Sequence, residues 1–162
     1  INEFNFKLIG CSISGKNREV SSWNQPLIEE LEKGEYGLCI GSFNDNKYIL
    51  WKVRNEPGLF DNIELGPTWI KRSELFEENI LNNFSSTFNT IKKVELAEEG
   101  GRFYKSTFIH KIVDLGEFDK NNIPNEIIPL TINETQKLMN IPNFFTLEGR
   151  SLWSLMKRED FE

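Results

Sequence analysis

The sequence predicts an α+β domain, and three observations carry that reading. A hairpin signature surrounds Asn44-Asp45-Asn46, apolar-rich runs flank an acidic glycine turn at 98–101, and helix caps stand towards both ends. No internal repeat or low-complexity linker divides the 162 residues, so a single domain over 1–162 is expected.

The elements follow in order. Ser21 and Ser22 read as an N-cap, with Pro26 in the first turn, Leu27, Ile28 and Leu31 as a buried stripe, and Gly34 as the stop. Residues 36–43 and 48–53 are β-prone arms on either side of the Asn-Asp-Asn turn. Pro57-Gly58 breaks that pattern, and 63–70 is a further strand interrupted at Gly66-Pro67. Ser73 is placed to cap a helix reaching Leu81. Residues 88–96 and 103–113 are strand-like, and 114–125 is a polar loop. Thr131 with Glu134 three residues on forms a capping box for a helix to Met139. Thr146 opens a last helix carrying Leu147, Ser151, Leu155 and Arg158.

Composition narrows the function classes. With 38% hydrophobic residues and 13 Phe, the chain can bury a real core. A net charge of −6 argues against a nucleic-acid partner, whose electrostatic footprint would be basic. A small anionic ligand is compatible, because local clusters matter more than net charge there. Cys11 and Cys39 lack metal or redox spacing and read as free thiols. The single histidine, His110, rules out a His-rich metal site. No apolar run approaches the roughly 20 residues that span a bilayer, and the first residues lack the apolar core of a signal peptide. A cytoplasmic setting with no membrane partner is expected.

Three clusters could carry chemistry. Arg54-Asn55-Glu56-Pro57-Gly58 follows a strand, where it is either an ordinary strand exit or a pair of charges facing a cleft. Gly66-Pro67-Thr68-Trp69 is either a bulge over a core Trp or part of a cleft wall. Glu98-Glu99-Gly100-Gly101-Arg102-Phe103-Tyr104 concentrates acids, flexible glycines, a forked donor and two aromatics. Residues 95–101 also match the second half of a Nudix box, but Val94 stands where an arginine is required and Ser86 where an acid is required. No metal is therefore expected. His110 lies in an apolar stretch as either a packed or an acid–base residue. Lys71-Arg72 and Lys92-Lys93 read as solvated faces.

Taken in order, these clusters resemble the NDP-hexose 2,3-dehydratases of deoxysugar biosynthesis. The matching pieces are Arg54 to Gly58, then Asn62-Ile63-Glu64-Leu65-Gly66-Pro67-Thr68, then Glu98 to Tyr104, and finally Gly149-Arg150-Ser151-Leu152. Three departures stand out. Arg54 replaces a lysine, Lys105 replaces a histidine, and Trp69-Ile70 replace a small apolar residue and glutamine. The resemblance implies a Nudix-like mixed sheet flanked by helices, without Nudix hydrolysis. It implies a nucleotide-linked 4-keto-6-deoxyhexose as substrate, losing its C2 hydroxyl as water after removal of the C3 proton, with no cofactor. Family members are built from two similar halves, so one half-length copy implies a homodimer or a second similar subunit. The roles implied are proton transfer for Glu56, Tyr104 and Lys105, and substrate binding for Arg54, Thr68, Trp69, Arg102, Phe103 and Arg150.

Overall fold

A computed structural model describes residues 6–72, 75–76 and 88–161. Ten strands precede two helices among these residues. β1 (Phe6–Ser14) and β2 (Ser22–Glu30) form a separate antiparallel hairpin. The remaining strands make one mixed sheet: β3 (Glu35–Phe43), β4 (Asn46–Arg54), β5 (Glu64–Gly66), β6 (Trp69–Arg72), β7 (Leu75–Phe76), β8 (Asn89–Ala97), β9 (Thr107–Glu117) and β10 (Ile127–Thr131). Helices α1 (Ile132–Leu138) and α2 (Leu147–Leu155) follow it.

β3 is the axis of the sheet. One edge runs parallel to β9, which in turn pairs antiparallel with β8. The other edge is shared: β6 pairs with Glu35 to Gly37, and β4 pairs with Cys39 to Phe43. β4 and β6 therefore part beside the middle of β3, and β4 continues onto β5 and β10. The β3–β4 turn places Asn44 and Asp45 at φ 49° and 59°, the two left-handed residues of a tight hairpin.

Burial on both sides of the central strands follows the period of two. Tyr36, Leu38, Ile40, Ile49, Trp51, Ile112, Phe145 and Leu152 fill one face, under the two helices. Cys39, Leu50, Trp69, Val113, Leu115 and Phe118 fill the other. At Gly37 the Trp69 ring lies directly on the backbone: a Cβ there would sit 1.8 Å from it. Cys11 and Cys39 are free thiols. No helix among the described residues is long and apolar enough to cross a membrane.

The capping box is present as expected. Thr131 Oγ1 accepts from the Glu134 amide, and the Glu134 carboxylate accepts from the Thr131 amide at 2.8 Å. Thr146 likewise caps α2, but that helix stops at Leu155, and Arg158 falls in a separate 3₁₀ turn. The helix expected at 21–34 is instead β2, so among the described residues both α-helices follow the sheet. The alternating burial of Trp23, Gln25 and Leu27 shows the period that governs this segment, and β1 supplies its ladder partner. Of the helix expected from Ser73, Leu75 and Phe76 form β7, and the rest lies outside the described residues. The expected loop at 114–125 begins only after β9 ends at Glu117. β1 and β10 are two strands that the sequence reading did not foresee.

Candidate functional site

The gap between β4 and β6 opens into a cleft of about 530 Å³. Its walls are Arg54 at the end of β4, Glu56 in the turn beyond, Pro67 before β6, Ile70 and Arg72 on β6, and Thr146 and Glu148 at the start of α2. Arg54 is nearly buried, and its Nη2 donates to the Pro67 carbonyl at 2.6 Å. Gly66 makes room for it, since a Cβ there would meet Arg54 Cγ at 2.7 Å. The start of α2 is fixed against β5, where the Thr146 amide donates to the Leu65 carbonyl at 2.9 Å. Glu148 thus enters the cleft on a short, capped helix.

Arg72 also lines a second cavity, of about 340 Å³, with Ile28, Glu30, Phe103 and Phe108. Its guanidinium donates to the Tyr36 hydroxyl and lies 5.0 Å over the Phe108 ring. Tyr36 stacks on Phe108 at 4.7 Å, and the His110 ring meets Tyr36 edge-on at 5.3 Å. Burial pushes the Tyr36 hydroxyl well above its ordinary range, partly offset by Arg72. Burial likewise raises the Glu30 carboxyl, with Arg72 pulling the other way. Burial lowers the His110 imidazole, whose Nδ1 faces the Phe108 carbonyl at 3.3 Å. His110 is therefore a packed residue beneath the cavities and lines neither of them.

The nine residues singled out by motif fall into three groups. Arg54 and Glu56 share the cleft, and Phe103 lines the second cavity. Thr68 and Trp69 lie fully buried behind the cleft. Arg102, Tyr104, Lys105 and Arg150 are exposed and line neither cavity.

Thr68 stitches the sheet together where its strands part. Its Oγ1 accepts from the Cys39 amide at 2.9 Å and donates to the Leu50 carbonyl at 2.5 Å. Cys39 and Leu50 are register partners, so the hydroxyl completes the ladder between them. Thr68→Val is expected to lower stability by about 1–3 kcal/mol, because it orphans a buried amide, whereas Thr68→Ser retains most of it. Urea unfolding of both variants measures the difference, and equal losses would place the effect in the methyl group. Trp69 Nε1 donates to Glu35 at 3.2 Å, which ties this ring to β3.

The turn at 98–104 joins β8 to β9 as expected. Gly101 takes φ 90°, Lys105 takes φ 52°, and Arg102 pairs with Glu99 at 3.4 Å in solvent. Its backbone serves the hairpin: Ile28 donates to the Arg102 carbonyl at 2.9 Å and accepts from the Tyr104 amide at 2.7 Å. The Nudix-box acids are not gathered, because Glu95 sits on a strand and turns towards Lys33 and Thr107. A helix would have stacked residues three and four apart on one face. Sequence reasoning missed Glu30, Arg72 and Glu148 as cavity residues. Arg72 gave no signal of its own, since only the β3–β6 pairing brings it to Tyr36.

Comparison with known proteins agrees with this architecture. The crystal structure of an ADP compounds hydrolase superposes with a TM-score of 0.50 at 11% identity, over 94% of this chain and 92% of that one. The fold is accordingly Nudix-like α+β. The dTDP-4-dehydro-6-deoxy-α-D-glucopyranose 2,3-dehydratase of Saccharopolyspora spinosa is 28% identical over 156 residues, covering 91% of this chain and 32% of the relative. The enzyme of the same name from Streptomyces violaceoruber is 26% identical over 159 residues, covering 94% and 36%. The chain thus spans about a third of the length of these relatives. The family model for NDP-hexose 2,3-dehydratase matches residues 2–156, and on that match across nearly its whole length the chain belongs to the NDP-hexose 2,3-dehydratase family.

Proposed function

We propose that this chain is one Nudix-like domain of a hydro-lyase acting on a nucleotide-linked 4-keto-6-deoxyhexose, and that it works in the cytoplasm as a homodimer or beside a second similar subunit. The observation that carries the reading is the cleft at the parting of β4 and β6. There the motif residues Arg54 and Glu56 meet Arg72 and Glu148 in a space large enough for a hexose. The chemistry needs no more than proton transfer and charge stabilisation. The C3 proton is acidic because it lies α to the C4 ketone. A carboxylate removes it, the electron pair passes onto the C4 oxygen as an enolate, and its return forms the C2–C3 double bond as the C2–O bond breaks. The departing hydroxide takes a proton and leaves as water, and the enol left at C3 tautomerises to a 3,4-diketone. Glu56 is the carboxylate we assign to proton transfer, with Arg54 as a donor to the enolate oxygen. Glu148 faces the same space and is suited to deliver the proton to the leaving oxygen.

A second reading is a sugar-nucleotide binding module without turnover. The replacement of the family's lysine by Arg54 and of its histidine by Lys105 favours it. Incubation with dTDP-4-dehydro-6-deoxyglucose separates the two. Mass spectrometry should show loss of one water, and proton NMR should show the C2 methylene of the diketo product. Binding by calorimetry without either change selects the module. Absence of both binding and turnover, with or without a second subunit, rejects the sugar-nucleotide assignment.

A further inference from the structure

The resemblance offers Arg102 and Arg150 as substrate-binding residues, yet both stand exposed and line neither cavity. Arg72 is the residue that both cavities share. Its guanidinium is fixed from behind by the Tyr36 hydroxyl and lies over the rings of Tyr36 at 5.5 Å and Phe108 at 5.0 Å. An arginine held in one orientation loses little side-chain freedom on binding, and its fork matches two oxygens of a phosphate. On one side of it lies a cavity walled by Ile28, Phe103 and Phe108, with Glu30 and Glu32 also in its lining. On the other lies the cleft of Arg54, Glu56 and Glu148. A flat, partly polar heterocycle suits the first, and a polyhydroxylated ring flanked by charges suits the second.

We infer that Arg72 anchors the diphosphate of a nucleoside-diphosphate sugar, with the base in the aromatic cavity and the hexose in the cleft. Tyr36 is then a positioning residue, acting on the ligand only through Arg72. Glu30 and Glu148 are the acids that act electrostatically on Arg72. This assignment rests on the sugar-nucleotide reading above and adds to it the direction in which the ligand lies.

Calorimetric titration with dTDP tests it. Arg72 is carried on the exposed end of β6, so Arg72→Met removes the fork without opening the core. Affinity for dTDP is expected to fall about 10- to 100-fold in Arg72→Met, as for loss of a charged hydrogen-bond pair. Tyr36→Phe keeps the ring stack and loses only the hydroxyl, and should weaken dTDP about threefold or more. Phe103→Ala should weaken dTDP as well, by removing a stacking wall. Circular dichroism melts accompany each variant, and Arg72→Lys, which keeps the charge, should recover part of the loss. Arg72→Met binding within threefold of the parent chain overturns the anchor, as does a larger loss in Arg102→Ala than in Arg72→Met. Unchanged affinity in Phe103→Ala overturns the placement of the base. A parent chain that binds neither dTDP nor the dTDP-sugar instead fails the sugar-nucleotide reading itself, which keeps the two failures apart.

Discussion

Glu56→Gln is expected to lower turnover of the dTDP-ketosugar by about 10²–10⁴-fold while leaving its binding nearly intact. The amide has the same shape and reach as the carboxylate but cannot take a proton from C3. Glu56 lies in the turn after β4 and packs into no core, so the substitution leaves the sheet undisturbed. The diagnostic is the split between constants: kcat falls, and KM moves little. Turnover within threefold of the parent chain would remove Glu56 from the proton path and move attention to Glu148 across the cleft. Arg54→Lys, which restores the family residue, gives a second handle. A gain in turnover there would mean that the arginine is a departure with a catalytic cost.

Trp51→Ala should cost about 3–5 kcal/mol, a large part of the stability of a domain this size. The ring is fully buried on β4 and meets Phe145 edge-on at 4.6 Å. Its Nε1 donates to Thr135 Oγ1 at 3.2 Å, so one side chain binds the sheet to both the α1 and the α2 regions. Gly149 of α2 is packed against it as well, since a Cβ there would sit 3.3 Å from the ring. Alanine would leave a cavity that three elements share and a buried threonine hydroxyl without its donor. Trp51→Phe should recover much of the packing but not the hydrogen bond. Denaturant midpoints for the two variants separate these contributions, and a loss below 1 kcal/mol in Trp51→Ala would contradict the packing described here.

Much of this fold was legible because several signals are local. The Asn44-Asp45 turn needs two left-handed residues, and asparagine and aspartate tolerate that geometry. The Thr131–Glu134 box closes on itself within four residues. The β2 segment misled because its stripe of Leu27, Ile28 and Leu31 fits a helix, while the deciding contacts come from β1. The site divides in the same way. Arg54 and Glu56 could be singled out because both belong to one short motif, although β6 and the start of α2 complete the cleft they line. Arg72 was not, because its partner Tyr36 lies 36 residues away and is reached only through sheet pairing. Thr68 was prominent in the motif, but its position inside the ladder makes it a structural residue of the β3–β4 junction.

Among the described residues, the β1–β2 hairpin is hydrogen-bonded to the rest of the molecule chiefly by Ile28 on the Arg102–Tyr104 backbone and Gln25 on the Gly101 carbonyl. Two strands alone are marginal in water, so this arm is expected to open without melting the sheet. Its amides should exchange with solvent deuterium faster than those of β3 and β9. Ile28 and Glu30 of that arm also wall the aromatic cavity, opposite Arg72 and Phe108 of the body. A ligand seated there would staple arm to body, and the slowing of exchange along β1 and β2 would then report the ligand's binding free energy directly.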